Sequence, residues 1–172
     1  MDLRMQKTRN QIKQAFLALR KRYLPKQIKV KDICEMAMIN KTTFYNHYAD
    51  SLTLSDEIDE VAIEQVLAHF EEKDQLFKSP TAYIRGLLKA VEKEAPTLLA
   101  VFHERQEELC AKLEEKLRAT YATSPKKIKQ NLFLAFAIGG FARLANDYLL
   151  TGASPAILEL AEAAATAMAN YL

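Results

Sequence analysis

Ile28-Lys-Val-Lys-Asp-Ile-Cys-Glu-Met-Ala-Met-Ile-Asn-Lys-Thr-Thr-Phe-Tyr-Asn-His-Tyr48 reads as two short helices joined by a tight turn. In the first, Val30, Ile33, Cys34 and Ala37 recur at helical spacing, so one face is apolar and needs cover from neighbouring helices. Lys29, Lys31, Asp32 and Glu35 form the opposite face. Asn40 then stands where a helix N-cap belongs, its side-chain oxygen placed to accept a free backbone N–H one turn on. Lys41, Thr42 and Thr43 follow in an exposed first turn. This is the helix-turn-helix pattern.

The residue types suit that pattern. A recognition helix inserts its N-terminal turn into the major groove, where Lys can donate to guanine O6 or N7 and Thr can offer a hydroxyl and a methyl to thymine. Lys41, Thr42 and Thr43 are therefore the expected base readers. Tyr45, Asn46, His47 and Tyr48 come one turn later with OH, amide and ring N–H donors for phosphate oxygens, which set register without reading sequence. Phe44 points into the core. A surface hairpin with incidental basic residues is the competing reading, and the agreement of turn, cap and aromatic spacing argues against it.

The run Asp32-Ile33, Ala37, Ile39-Asn40-Lys41, Thr43-Phe44-Tyr45 and His47-Tyr48 resembles the N-terminal signature of the TetR/AcrR family of transcriptional regulators. The likeness extends from Thr8 through the acidic helix after the motif. It implies a three-helix DNA-binding head, a connecting fourth helix, and a larger helical domain that dimerises and holds a small-molecule pocket. Three positions depart from the family pattern. Met38 stands where Gly is common, and a Met at φ > 0 costs on the order of 1 kcal/mol. Thr42 also replaces a frequent Gly. Ser51 replaces a Lys that often touches phosphate, although its hydroxyl can still donate.

Charge points the same way without the family. Residues 1–50 hold 11 Lys and Arg against 4 Asp and Glu, a net of +7, whereas residues 51–172 hold 13 against 18, a net of −5. A formal total of +2 conceals a basic head on an acidic body, which draws a polyanion to one end. Arg4, Lys7, Arg9 and Lys13 extend the basic face along the first helix. A solvated charged face is the plainer reading of such a cluster alone.

With 4 Gly and 5 Pro in 172 residues, and with Ala, Leu, Lys and Glu dominant, the fold class expected is all-α, and the resemblance implies that it is TetR-like. Helices are predicted at 5–22, 30–37, 41–47, 51–73, 80–93, 96–103, 104–121, 126–150 and 155–171. Pro at positions 25, 80, 96, 125 and 155 marks breaks between them, with Ser79, Ser124 and Ser154 as caps. The expected division is a head at 1–50 and an effector-binding, dimerising body at 51–172. No secretory signal is apparent, and two distant cysteines suit a reducing cytoplasm, the expected location. Cys34 reads as core.

Residues 132–142 are apolar all round, which a helix on a monomer's surface does not tolerate. The run is shorter than the roughly 20 residues that span a bilayer, so no membrane role is expected. Ile157, Leu160, Ala161, Ala164, Ala165 and Met168 add a small-residue face on the last helix. A homodimer through residues 126–150 and 155–171, as an intermolecular four-helix bundle, answers both features. A purely monomeric core is the alternative. Within the body, Tyr83, Phe102, Arg105, Phe136 and Arg143 form the expected effector pocket, with Phe133, Phe141 and Asn146 as further candidates; plain core is the competing reading. Arg143, in an apolar helix, needs a carboxylate such as Asp147 or a ligand anion.

His103, Glu107 and Cys110 share a helix face, yet nothing nearby completes a metal site. No metal or cofactor is expected. There is no Gly-rich phosphate loop, nucleophile elbow or His-Glu-x-x-His, so an enzyme is not expected. The expectation is a dimeric regulator of a palindromic operator in double-stranded DNA, a repressor released by an effector. The alternative is a TetR-like adaptor whose body binds a partner protein.

Overall fold

The computed structural model describes residues 3–121 and 128–169, and every regular element among them is helical. The order is α1 (Leu3–Arg20), a 3-10 turn (Pro25–Gln27), α2 (Val30–Ala37), α3 (Lys41–Tyr45), α4 (Ser51–His69), α5 (Pro80–Lys93), α6 (Ala95–Val101), α7 (Gln106–Ala119), α8 (Ile128–Leu150) and α9 (Pro155–Ala169). The fold is all-α, a helix-turn-helix head followed by a larger helical body. Contacts divide the chain into one unit of Met1–Ala62 with Leu99–Glu104 and another of Ile63–Leu98 with Arg105–Leu172. The first thus runs past the expected limit at residue 50 and takes in a later segment.

In the first unit α1 buries Ile12, Ala15, Phe16 and Arg20 and packs on α2, which buries Ile33 and Cys34. Phe44 of α3 is fully buried beneath them. Arg20 lies at the end of α1 with its guanidinium donating to the carbonyls of Tyr23 and, at 2.8 Å, His103. That bond helps to hold the 99–104 segment in this unit. A buried guanidinium in such a place needs carbonyl acceptors to offset its lost hydration.

In the second unit α5 packs on α8 and α9, and α7 on α8. The apolar positions explain this: Leu109, Leu113 and Leu117 of α7 and Ile138, Phe141, Ala142 and Ala145 of α8 repeat at helical spacing and are buried. Tyr83 of α5 joins Phe70 and Phe141 in an aromatic cluster, with centroids 4.9 and 5.8 Å away. Ser79 caps α5, accepting from the Ala82 N–H at 3.4 Å, and Pro80 opens the helix. The expected break at Ser124-Pro125 lies outside the described residues.

The connecting helix ends at His69, short of the predicted residue 73. Phe70 turns inward to Tyr83, and the Tyr121 hydroxyl accepts the Leu76 N–H at 3.2 Å while donating to the Lys73 carbonyl at 2.7 Å. These contacts hold residues 70–79 in a turn that competes with further helix. Burial pushes the Tyr121 phenol up to about 12.

The apolar stretch of α8 does not have both sides covered by the described residues. Leu134, Ala137, Ile138 and Phe141 face inward, whereas Phe136 is 75 % exposed. Phe136, Gly140, Arg143 and Leu150 form an outward stripe at helical spacing, and Ala156, Leu160, Ala163 and Ala167 form another on α9. By length and composition alone, Phe133–Leu150 is long and apolar enough to cross a membrane, and half of it is buried in the body.

Candidate nucleic-acid interface

The turn between α2 and α3 is a Schellman closure. Met38 adopts the left-handed conformation, φ 53° and ψ 44°, while the Ile39 N–H donates to the Cys34 carbonyl at 3.0 Å and the Met38 N–H to that of Glu35 at 3.3 Å. The turn therefore keeps the backbone that glycine favours, with a methionine side chain projecting from it at 92 % exposure. The start of α2 is held by Asp32, whose carboxylate accepts the Lys29 N–H at 3.4 Å.

Asn40 caps α3. Its Oδ1 accepts the Thr43 N–H at 2.7 Å and the Thr43 hydroxyl at 2.9 Å. Asp50 caps α4 by the same geometry, accepting the Thr53 N–H at 2.7 Å and its hydroxyl at 2.9 Å. Those two bonds, the backbone one foremost, hold the Asp50 carboxyl below its ordinary range. One consequence concerns Thr43. Its hydroxyl proton is committed to Asn40, leaving its methyl and a lone pair for any base.

Lys29, Lys31, Asn40, Lys41, Thr42, Tyr45 and Asn46 are exposed, while Thr43, His47 and Ser51 are partly covered. Lys31 lies 3.6 Å from Glu35, an exposed pair worth little. Helical bonding continues past Tyr45, since the N–H groups of Asn46 and Tyr48 each donate at 3.0 Å, to Thr42 and Phe44. The exposed donors from 40 to 46 thus stand on one rigid turn anchored by Phe44.

Tyr48 differs from its expected place among the phosphate contacts. It is 3 % exposed, and its hydroxyl accepts from Arg9 Nε at 3.1 Å and donates to Glu57 Oε1 at 3.4 Å. The Arg9 guanidinium sits 5.6 Å from the ring centroid and donates to Glu57 Oε2, and Lys13 Nζ is 2.6 Å from Glu57 Oε1. A buried phenol needs hydrogen-bond partners, and these residues supply them. Burial pushes the Tyr48 phenol up. Burial would also raise Glu57, yet the bonds from Arg9 and Lys13 outweigh it and hold the carboxyl low. The bond to Glu57, with that to Tyr48, pushes the Arg9 guanidinium up. Two cations expected on the open basic face are thereby held by an internal carboxylate. The only sequence signal for Glu57 is its place on the acidic fourth helix.

The five expected pocket residues differ in burial and in partners. Tyr83 is buried in the aromatic cluster, its hydroxyl without a hydrogen-bond partner, and burial pushes its phenol up. Phe102 is buried within the 99–104 segment of the first unit. Arg105 is buried and donates to Glu108. Phe136 is exposed, and Arg143 lies at the surface with Glu107 at 2.9 Å and Asp147 at 3.4 Å. Among the described residues, the body has a cavity of about 190 Å³ lined by Ala68, His69, Glu72, Gly86 and Lys89, and a smaller one of about 10 Å³ lined by Ile63, Val66, Leu98, Leu113 and Asn146. The smaller has room for about one water. Of the three residues expected to share a helix face, His103 lies in the turn before α7, Glu107 is engaged by Arg143, and the Cys110 thiol, pushed up by burial, faces the Ala142 carbonyl at 3.9 Å. Cys34 is buried in the head, as its spacing implies.

No protein-family profile and no curated protein matches the chain. Among solved structures it is similar to one described as the dihydroxyacetone kinase operon activator DhaS, with 15 % sequence identity, a TM-score of 0.51 and 95 % of each chain covered. The two chains share a fold. At that identity the likeness concerns architecture, a TetR-like arrangement running nearly end to end.

Proposed function

We propose that this protein is a member of the TetR/AcrR family and acts as a dimeric, sequence-specific DNA-binding transcriptional regulator. The observation that carries the reading is the short helix α3, started by Asn40 and anchored by Phe44, which presents Lys41, Thr42, Tyr45 and Asn46 to solvent on a basic head. Lys41 and Thr42, with the methyl of Thr43, read base edges; Tyr45, Asn46, His47, Lys29, Lys31 and Ser51 meet phosphates. Residues 1–50 form the DNA-binding head and residues 51–172 the regulatory and dimerising body. The outward stripes of α8 and α9 meet those of a second copy, since exposed Phe136, Leu150 and Leu160 are costly in water and two linked heads read a palindrome. The fold likeness to a protein named as an operon activator supports regulation in general. Repression relieved by an effector is the reading taken for this chain, through a population shift between head spacings.

A second reading is favoured by the exposed apolar groups of the body: Phe136, Leu150 and Leu160 suit an adaptor whose body binds a partner protein.

Fluorescence anisotropy with the intergenic duplex beside its own gene and a scrambled duplex, at two salt concentrations, tests the proposal. Preference for the native duplex by roughly a thousandfold that survives the higher salt supports a specific regulator. Equal, weak binding that collapses for both duplexes would sink it and favour the adaptor.

A further inference from the structure

Arg9, Lys13 and Tyr48 come from two elements of the head and converge on one carboxylate of α4. A guanidinium, an ammonium and a phenol around a single anion are the donor set that recognises a phosphate oxygen. The charges do not balance locally, because two cations share one anion. Neither cation is sealed away: the side chain of Arg9 is 36 % exposed and that of Lys13 26 %. The cluster also adjoins the surface assigned above to phosphates, since Tyr48 directly follows His47 and Glu57 lies two turns into the helix that begins at Ser51.

We propose that Glu57 is an internal stand-in for a DNA phosphate, occupying an anion site built by Arg9, Lys13 and Tyr48 and thereby weakening the hold of the head on duplexes of any sequence. The role in DNA binding rests on the regulator reading; the anion site itself does not. A head that holds every duplex less tightly spends less of its population on non-operator DNA, and discrimination is then left to the base contacts of α3. The same carboxylate holds Tyr48 and α1 in place, so its removal has two separable consequences, one for the anion site and one for packing.

The test uses the full chain and its Glu57→Gln variant, which keeps the shape and a hydrogen-bond acceptor for Tyr48. Titration with inorganic phosphate, followed by the amide shifts of residues 9, 13 and 48, is expected to show saturable binding in the variant and much weaker binding in the parent. In anisotropy, the variant is expected to gain roughly tenfold in affinity at 0.1 M salt for native and scrambled duplexes alike, with a log K against log salt slope steeper by about 1 to 2. Glu57→Asp, which restores the charge, is expected to return both readouts to the parent's. Absence of phosphate binding in Glu57→Gln, or an unchanged salt slope on duplexes that the parent binds, overturns the proposal. So does an Arg9→Gln change in the parent that lowers its slope by about 1, because Arg9 would then already be on a DNA phosphate; this arm does not depend on the folding of Glu57→Gln. Phosphate binding by Glu57→Gln with no duplex binding by either protein would uphold the anion site and overturn the regulator reading together with the DNA role given to Glu57.

Discussion

The turn before α3 and the outer faces of α8 and α9 are both exposed, and they are exposed in opposite ways. Around α3 the outward groups, Met38 apart, are hydrogen-bonding ones, and the backbone is held by short-range devices: the Schellman closure at Met38 and the Asn40 cap. On α8 and α9 the outward groups include Phe136, Leu150 and Leu160, and none of the described residues covers them. Exposed polar groups on a rigid turn suit a partner made of phosphates and base edges. Exposed apolar stripes suit a partner whose surface is itself apolar. The contrast teaches that one region presents groups satisfied by water or phosphate, and the other presents groups that water satisfies poorly.

Replacing Phe136 by Asp breaks the comparison most severely. Under the dimer proposal it is expected to convert the protein to a monomer by sedimentation equilibrium and to lower operator affinity by about a hundredfold, since the second head loses its effective concentration. A dimer of unchanged stability would remove α8 from the interface. Removing the α3 cap with Asn40→Ala is expected to cost about 1 kcal/mol in urea unfolding, without altering the oligomeric state. An unchanged midpoint would mean that the turn does not depend on its cap. Met38→Gly acts in the opposite direction, relieving the left-handed strain for a gain of up to about 1 kcal/mol, partly offset by the greater freedom of Gly when unfolded.

Phenol-to-phenyl changes sharpen the comparison within the head. Tyr45→Phe is expected to weaken native and scrambled duplexes by equal and small factors with stability unchanged, because the Tyr45 side chain is exposed. Tyr48→Phe leaves the partly buried Arg9 and Glu57 short of a partner and is expected to lower stability by about 1 kcal/mol. Equal thermal melts for the two variants would contradict the buried role of Tyr48.

Acid separates the two similar caps. The Asp50 carboxyl titrates below its unfolded value, near 3.9, so its contribution is fully present above that pH and is lost as pH falls through the lower folded value. Asn40 does not titrate. Amide exchange is expected to show weakening protection at Thr53 below about pH 4, relative to its value at pH 6, with no matching loss at Thr43. Parallel changes at the two amides would show that the caps do not act separately.

Much of the head was legible before folding because its determinants are local. Asn40 and Thr43 are three residues apart, the αL turn follows directly after α2, and the burial of Phe44 follows from its place between polar neighbours on one helix. The burial of Tyr48 was not legible, for the opposite reason. Its partners Arg9 and Glu57 lie 39 and 9 residues away, and no local pattern announces that they meet. The end of α4 was likewise set from a distance, by Phe70 turning to Tyr83 and by the Tyr121 hydroxyl 45 residues beyond Leu76.

Helical class, the caps, the strained turn and the charge division between head and body are written in neighbouring residues, because hydrogen bonds within a turn and the 3.6-residue period act over one or two helical turns. Tertiary structure alone decided which face of α8 is left outward, that Arg143 sits at the surface with Glu107 and Asp147, that Tyr83 is buried while Phe136 is exposed, and that Glu57 collects two cations of α1. Each of those outcomes depends on which helices pack together, and a helix that is apolar on every side carries no mark of the face its neighbours will cover.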